Sequence, residues 1–260
     1  MAAPLGRHAQ RLRAAAALRS VKGRREQRRF RFEGATLLGE AAAAGFPILE
    51  LYATQAAYES TPLLRRLEDD GTPLFIADEG ALAAISDVTT PTGIVAVGPI
   101  RLTPPGALFT LGTPILMLAD LNDPANAGTL LRAADAFGAP GILFGSHGVD
   151  PYHPKVVRGS MGALFRLAVS VADATEARHG ASLAKVRMVG LAAGGPDLRE
   201  ETWQGPVALV VGNERRGLGE WGDLCERVLA IAMPGRAESL SAAVAGSIAL
   251  YEASRNSVRT

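Results

Sequence analysis

The sequence predicts an α/β protein built as two layered blocks. Three observations carry this. Strand-like apolar runs alternate with helix-period segments along most of the 260 residues. The runs of the second half, Ile115–Ala119 foremost, are unbroken by polar residues, as strands buried on both faces of a parallel sheet require. Between the halves lies Gly98–Thr113, with prolines at 99, 104 and 105 and glycines at 106 and 112, the composition of a boundary.

In the first block Arg29–Phe32 reads as a strand and Ala35–Ala44 as a helix stopped by Gly45. Ile48–Tyr52 is a strand and Pro62–Glu68 a short helix ending before Gly71. Leu74–Ala77, Gly80–Ser86 and Gly93–Val97 read as strand, helix and strand. The second block opens with strand Ile115–Ala119 and helix Ala125–Phe137. Strand Gly141–Phe144, helix Lys155–Leu164, strand Leu167–Val171, helix Thr175–Val186 and strand Met188–Ala192 follow. Strand Val207–Val211, a helical piece near Glu220–Cys225, strand Val228–Ala232 and a helix from about Ser239 to Arg255 complete it. Such alternation implies right-handed crossovers, with ligand sites at the carboxyl ends of the strands. The expected division is residues 1–98, a linker at 99–113, and 114–260.

Composition narrows the function. With 48% hydrophobic and 20% charged residues the chain is neither disordered nor fibrous. The net charge of +1 hides an asymmetry. Residues 1–32 hold ten basic side chains (Arg7, Arg11, Arg13, Arg19, Lys22, Arg24, Arg25, Arg28, Arg29, Arg31) against Glu26. That is +9, which leaves −8 for the rest. A basic segment at one end is the usual form of a nucleic-acid-binding arm, and Arg24, Arg25, Arg28 and Arg29 are its candidate phosphate contacts. The competing reading is a solubilising tail. A single cysteine, Cys225, makes no internal disulfide. Arginines interrupt the N-terminus too often for a secretory core. The longest uncharged stretch, Leu102–Ala119, contains three prolines and reads as linker and strand, so no membrane partner is expected. A cytoplasmic protein is the expectation, although an Arg-rich amphipathic start can also mimic a mitochondrial presequence.

Three segments have what a strand-end site needs. Asp120 to Arg132 leaves a buried strand, turns through Asp123-Pro124 and enters a helix; Asn126 sits at its mouth, with Arg132 one to two turns in. Capping by Asp123 plus a surface arginine would explain it equally well. Val211 to Gly219 is a charged, glycine-flanked loop that lets backbone approach a ligand closely. Within it Gly217-Leu218-Gly219-Glu220-Trp221-Gly222 matches a dinucleotide fingerprint, with Glu238 at the acid position; it is weak, because five residues separate it from the preceding strand. Ile231 to Ser241 links a strand to the last helix, with Ser239 as a natural N-cap. The four histidines and Cys225 lack metal-ligand spacing, and no metal is expected.

Taken together, the three segments resemble the three motifs of the SpoU/TrmH family of RNA ribose 2′-O-methyltransferases, of the SPOUT superfamily. Asp123-Pro124-Ala125-Asn126-Ala127-Gly128 through Arg132 is similar to the first motif. Gly212-Asn213-Glu214-Arg215-Arg216-Gly217-Leu218 is similar to the second. Met233-Pro234-Gly235 through Ser239-Leu240, running into Leu250-Tyr251-Glu252, is similar to the third. Residues 20–97 more loosely resemble that family's L30e-like substrate-binding domain. One position departs: Ser241 stands where the family usually has Asn.

The resemblance implies an N-terminal L30e-like α/β sandwich and a C-terminal parallel-sheet domain with a deep trefoil knot. It implies a homodimer, S-adenosyl-L-methionine held by Gly212, Ile231, Met233 and Leu240, and ribosomal RNA favoured over transfer RNA, including the sub-case of a resistance enzyme. Arg132 becomes the proposed base, with Asn126, Glu214 and Ser239 orienting it and the ribose. A guanidinium, which holds its proton very tightly, fits a base poorly. Either Arg132 is neutralised by burial, or it anchors the target phosphate while Glu214 or a water takes the proton. The same motifs on a non-catalytic RNA-binding protein are the alternative.

Overall fold

The computed structural model describes residues 3–4, 9–88 and 91–255. Arg7 of the basic segment lies outside them. Eleven strands are described: β1 (Ala3–Pro4), β2 (Arg29–Glu33), β3 (Glu50–Ala53), β4 (Leu74–Ile76), β5 (Ile94–Pro99), β6 (Ile115–Leu118), β7 (Gly141–Gly145), β8 (Ala168–Ala172), β9 (Arg187–Leu191), β10 (Val207–Val211) and β11 (Arg227–Leu229). Contacts divide the chain into two units. One comprises Met1–Ile100 with Tyr152–Phe165, the other Arg101–Pro151 with Arg166–Thr260.

The second unit is built on a parallel six-stranded sheet in the order β11-β9-β10-β6-β7-β8. The unbroken apolar runs explain it: every residue of β6, β7 and β10 is buried. From β6 the chain moves outward to β7 and β8, then returns on the other side to form β9, β10 and β11. The strand order thus reverses between β6 and β10, where open parallel sheets leave a crevice at their carboxyl ends. Helix Pro124–Ala136 follows β6, with Asp123 as N-cap accepting from the Ala125 N–H (2.8 Å). Helix Ala242–Ser254 packs against it and against β10. Part of the expected linker also folds here: helix Pro105–Leu108 is followed by Phe109, and Leu108 and Phe109 join the core. No helix among the described residues is long and apolar enough to cross a membrane.

The first unit has a mixed sheet, β1-β4-β3-β5-β2, with β5 antiparallel to both neighbours. Segment Tyr152–Phe165 belongs to its core, whereas the sequence reading runs Lys155–Leu164 as one helix of the second block. It forms helix Pro154–Gly159 and a 3₁₀ turn, Ala163–Phe165, broken apart where Met161 and Gly162 take left-handed φ. Phe30 meets Tyr152 at 4.6 Å between ring centroids, and Phe165 meets Phe32 at 4.9 Å and Phe46 at 5.0 Å. Aromatic contacts between distant segments decide where this piece packs, and no local pattern encodes them.

The basic N-terminal segment is neither arm nor tail over its described part. It forms helices Ala9–Ala17 and Val21–Gln27. Ala15 and Leu18 are buried with Tyr52, Phe75, Leu82 and Ile85. Arg24 corrects one expectation. Its side chain is 1% exposed and donates to the carbonyls of Leu18 (3.0 Å) and Arg19 (2.9 Å), so it cannot reach a phosphate. Arg25 and Arg28 are exposed. Arg29 is half-exposed and paired with Glu50 at 3.1 Å.

Candidate active site

Three loops follow the carboxyl ends of β6, β10 and β11. The first leaves β6 at Asp120, the second leaves β10 at Gly212, and the third runs from β11 to helix Ala242–Ser254. The second and third, with the end of β9, close a cleft of about 260 Å³, lined by Leu191–Ala193, Val211–Glu214, Gly217, Leu229, Ile231, Met233, Glu238–Leu240, Ala242 and Ala245, and the first reaches it through Glu214. All four expected cofactor residues, Gly212, Ile231, Met233 and Leu240, line it, as do Glu214 and Ser239. The lining is chiefly apolar side chain and open backbone, which suits a nucleoside bearing a few polar groups.

The second loop is tied at both ends. Asn213 is buried; its Nδ2 donates to the Asp120 carbonyl (2.8 Å), and its Oδ1 accepts from the N–H groups of Arg215 (2.9 Å) and Arg216 (3.1 Å). Asn213 and Gly217 exchange two backbone hydrogen bonds, 2.8 and 2.9 Å, closed by the left-handed φ of Gly217 (62°). This tight return passes directly over Gly212. A Cβ there would lie 2.5 Å from the Gly217 carbonyl carbon, so only glycine fits.

Glu214 joins the second loop to the first. Its carboxylate accepts from the N–H groups of Asn122 (3.3 Å) and Asp123 (3.2 Å) and from Asn126 Nδ2 (3.1 Å). Partial burial pushes its pKa up, but the hydrogen bond from Asn126 and the backbone donors outweigh that and hold it below the ordinary carboxylate value. Glu214 is therefore an engaged anion that orients Asn126. Arg132 lies six residues beyond Asn126, about 9 Å further along the helix and roughly 120° around it. It is exposed, stands outside the cleft lining, and makes no hydrogen bond or ion pair among the described residues.

The third loop and the segment that follows the second correct two readings. Ser241, not Ser239, is the N-cap of the last helix, accepting from the Val244 N–H (3.3 Å). Ser239 is thereby left at the cleft. Gly219–Leu224 is a 3₁₀ helix set off from β10 by the tight loop, so the fingerprint match opens no α-helix and cradles no pyrophosphate. The sequence reading missed Asp120, whose Oδ1 accepts from the His147 N–H (3.1 Å) and Oδ2 from Trp221 Nε1 (3.2 Å). It also missed Leu191–Ala193. Their one sequence signal is position, at the carboxyl ends of strands. Burial pushes the Cys225 thiol up to about 11, so it is no nucleophile at neutral pH. Among the described residues no cluster of His, Cys, Asp or Glu could hold a metal ion.

Residues 113–251, more than half of the chain, match the SpoU rRNA Methylase family. The chain belongs to this family. Residues 9–96 match an MRM3-like substrate binding domain. An uncharacterized tRNA/rRNA methyltransferase of Synechocystis is 33% identical over 248 residues, covering 92% of this chain and 88% of that protein. The 23S rRNA (uridine(2479)-2′-O)-methyltransferase of Streptomyces viridochromogenes is 38% identical over 143 residues, 52% of this chain and 50% of that protein. Among solved structures, the SpoU methyltransferase AviRb of the same organism, in complex with AdoMet, superimposes with a TM-score of 0.86 at 27% identity, covering 96% of this chain and 98% of that one. AdoMet-bound rRNA methyltransferase from Sinorhizobium meliloti gives 0.83 at 29% identity over 95% of each chain. The family resemblance read from three short loops therefore extends over both units.

Proposed function

We propose that this protein transfers a methyl group from S-adenosylmethionine to a ribose 2′-hydroxyl of ribosomal RNA. The carrying observation is that the second and third motif loops line one cleft, while the first is tied to it through the hydrogen bonds of Glu214 to Asn122, Asp123 and Asn126. The cofactor fits the residues present: Gly212, Ile231, Met233 and Leu240 form a cradle of backbone and apolar surface, and a Cβ at Gly212 would clash with the loop that roofs it. When bound, the cofactor supplies an electrophilic methyl carbon, whose bond to sulfur breaks as the bond to the ribose oxygen forms.

The chain's own residues position the ribose and handle its proton. Glu214 fixes Asn126, and Ser239 presents a hydroxyl at the cleft. A guanidinium is a poor base, and Glu214 is already engaged as an acceptor. Arg132 accordingly anchors the target nucleotide and stabilises the developing oxyanion, and the 2′-hydroxyl proton leaves to water. The protein acts as a homodimer. Val244 and Tyr251, seven residues apart on one face of the last helix, are exposed, and Tyr251 stands edge-on to Phe137 (5.7 Å) at the end of the helix carrying Arg132. A second copy on this apolar face would border the site. The non-catalytic alternative rested on Ser241, which serves here as an N-cap, a task Ser and Asn perform equally.

Incubation with labelled S-adenosylmethionine and ribosomal RNA should yield nuclease-resistant 2′-O-methylated dinucleotides. Arg132→Ala should lower kcat about 100-fold or more while leaving cofactor binding intact. No incorporation into any RNA, with cofactor bound, would overturn the proposal.

A further inference from the structure

The loop that roofs Gly212 also carries two arginines to which the reaction above gives no task. Arg215 and Arg216 lie between two cleft-lining residues, Glu214 and Gly217. Their backbone N–H groups are both held by Asn213 Oδ1, and Asn213 is itself buried and bound to Asp120. The backbone that presents them is therefore fixed. Their side chains are exposed and make no hydrogen bond or ion pair among the described residues. The adjacent carboxylate, Glu214, is engaged by Asn122, Asp123 and Asn126.

Other arginines of the same unit are paired, although Arg132, Arg178 and Arg236 are not among the described residues. Arg166 pairs with Asp135, Arg199 with Asp197, Arg255 with Glu252, and Arg187 and Arg227 share Glu201. Residues 33–260 carry a net −8, a background that repels a phosphate backbone unless local cations offset it. Two adjacent unpaired cations on a fixed loop beside the cleft provide that offset.

We infer that Arg215 and Arg216 grip the RNA backbone phosphates flanking the target ribose, in addition to any contacts made by the N-terminal unit. The inference rests on the methyltransferase reading. The guanidinium fork matches phosphate geometry, and such contacts set register without reading bases. One other anion offers similar chemistry, the carboxylate of the cofactor, and the experiment separates the two.

The Arg215→Ala/Arg216→Ala double variant of the full chain is compared with wild type by calorimetry with S-adenosylmethionine and by RNA binding across a salt series. Methylation kinetics on ribosomal RNA complete the comparison. Cofactor affinity should stay within twofold. The slope of log K against log salt should shrink by about 1.4–1.8 for two phosphate contacts. KM for RNA should rise about tenfold or more, with kcat at saturating RNA little changed. The Arg215→Lys/Arg216→Lys variant should recover most of the salt slope but only part of KM. An unchanged slope and KM would overturn the inference. So would weakened cofactor binding with RNA binding intact, which would give the arginines to the carboxylate. If wild type binds cofactor but methylates nothing, the proposed function fails, while the salt slope still decides what these arginines hold.

Discussion

In the N-terminal unit Arg24 and Arg31 are buried, and Arg19 and Arg29 lie against Asp87 and Glu50; beside the cleft Arg132, Arg215 and Arg216 reach no acid among the described residues. The end of the chain with the densest positive charge thus uses much of it internally. The net-negative part keeps free cations where the chemistry is. Arg31 shows the first case best. It is 3% exposed and held by Asp87 and the Ile85 carbonyl, while Glu33 accepts from Ser86 and the Asp87 N–H. A local count of arginines measures available charge only after the buried and paired ones are removed.

The largest test of this contrast is truncation. Residues 107–260 alone would keep Tyr152–Phe165 without Phe30, Phe32 and Phe46, exposing its buried Val156, Val157 and Leu164. That fragment should be less soluble and more prone to aggregation than the full chain in a solubility and light-scattering assay. Next, Asp87→Ala leaves Arg31 as a buried cation without its main partner. It should lower stability by about 3–5 kcal/mol in denaturant titration. Smaller effects separate neighbours in the basic segment. Arg24→Ala should cost about 1–3 kcal/mol by stranding two carbonyls, with the salt slope of RNA binding unchanged. Arg25→Ala/Arg28→Ala should leave the melting temperature in place and reduce that slope by about 1.4–1.8. Equal effects of the two on RNA binding would erase the distinction between structural and available charge.

The smallest effect concerns Glu214. Its pKa is lowered in the folded state, so its contribution is present above the unfolded value and disappears as pH falls through the folded one. Compared with Glu214→Gln, wild type should be more stable by at most about 0.5 kcal/mol at neutral pH, since the group is largely solvated. Melting curves of the two should converge below pH ~4.

What could be read in advance follows from how locally each feature is encoded. The runs at β6 and β10 announce buried parallel strands by composition alone, and the charged loops that follow them hold Asn126 and Glu214, which bond to each other at the cleft's edge. Asn126, Glu214 and Gly212 were therefore legible. The N-terminal helices were not, because Ala14–Ala17 among arginines looks like low complexity until Ala15 and Leu18 find Tyr52 and Phe75. Arg24 is polar in every local pattern, and only the turn at Leu18–Arg19 buries it. Ser239 and Ser241 are both plausible caps two residues apart, and the choice between them is made by where the loop meets the cleft.

The placement of Tyr152–Phe165 also sets the timing of synthesis. The N-terminal unit ends its first stretch at Ile100, but its core lacks a piece until Phe165 has been made, 65 residues later. At about 5–20 residues per second that is roughly 3–13 s. Throughout it Phe30, Phe32 and Phe46 wait on a nascent chain, and strands β6 and β7 of the other sheet emerge before the first is complete. Birth order and folding order therefore differ in this molecule, and the aromatic cluster that closes last is the one most in need of protection while the ribosome is still at work.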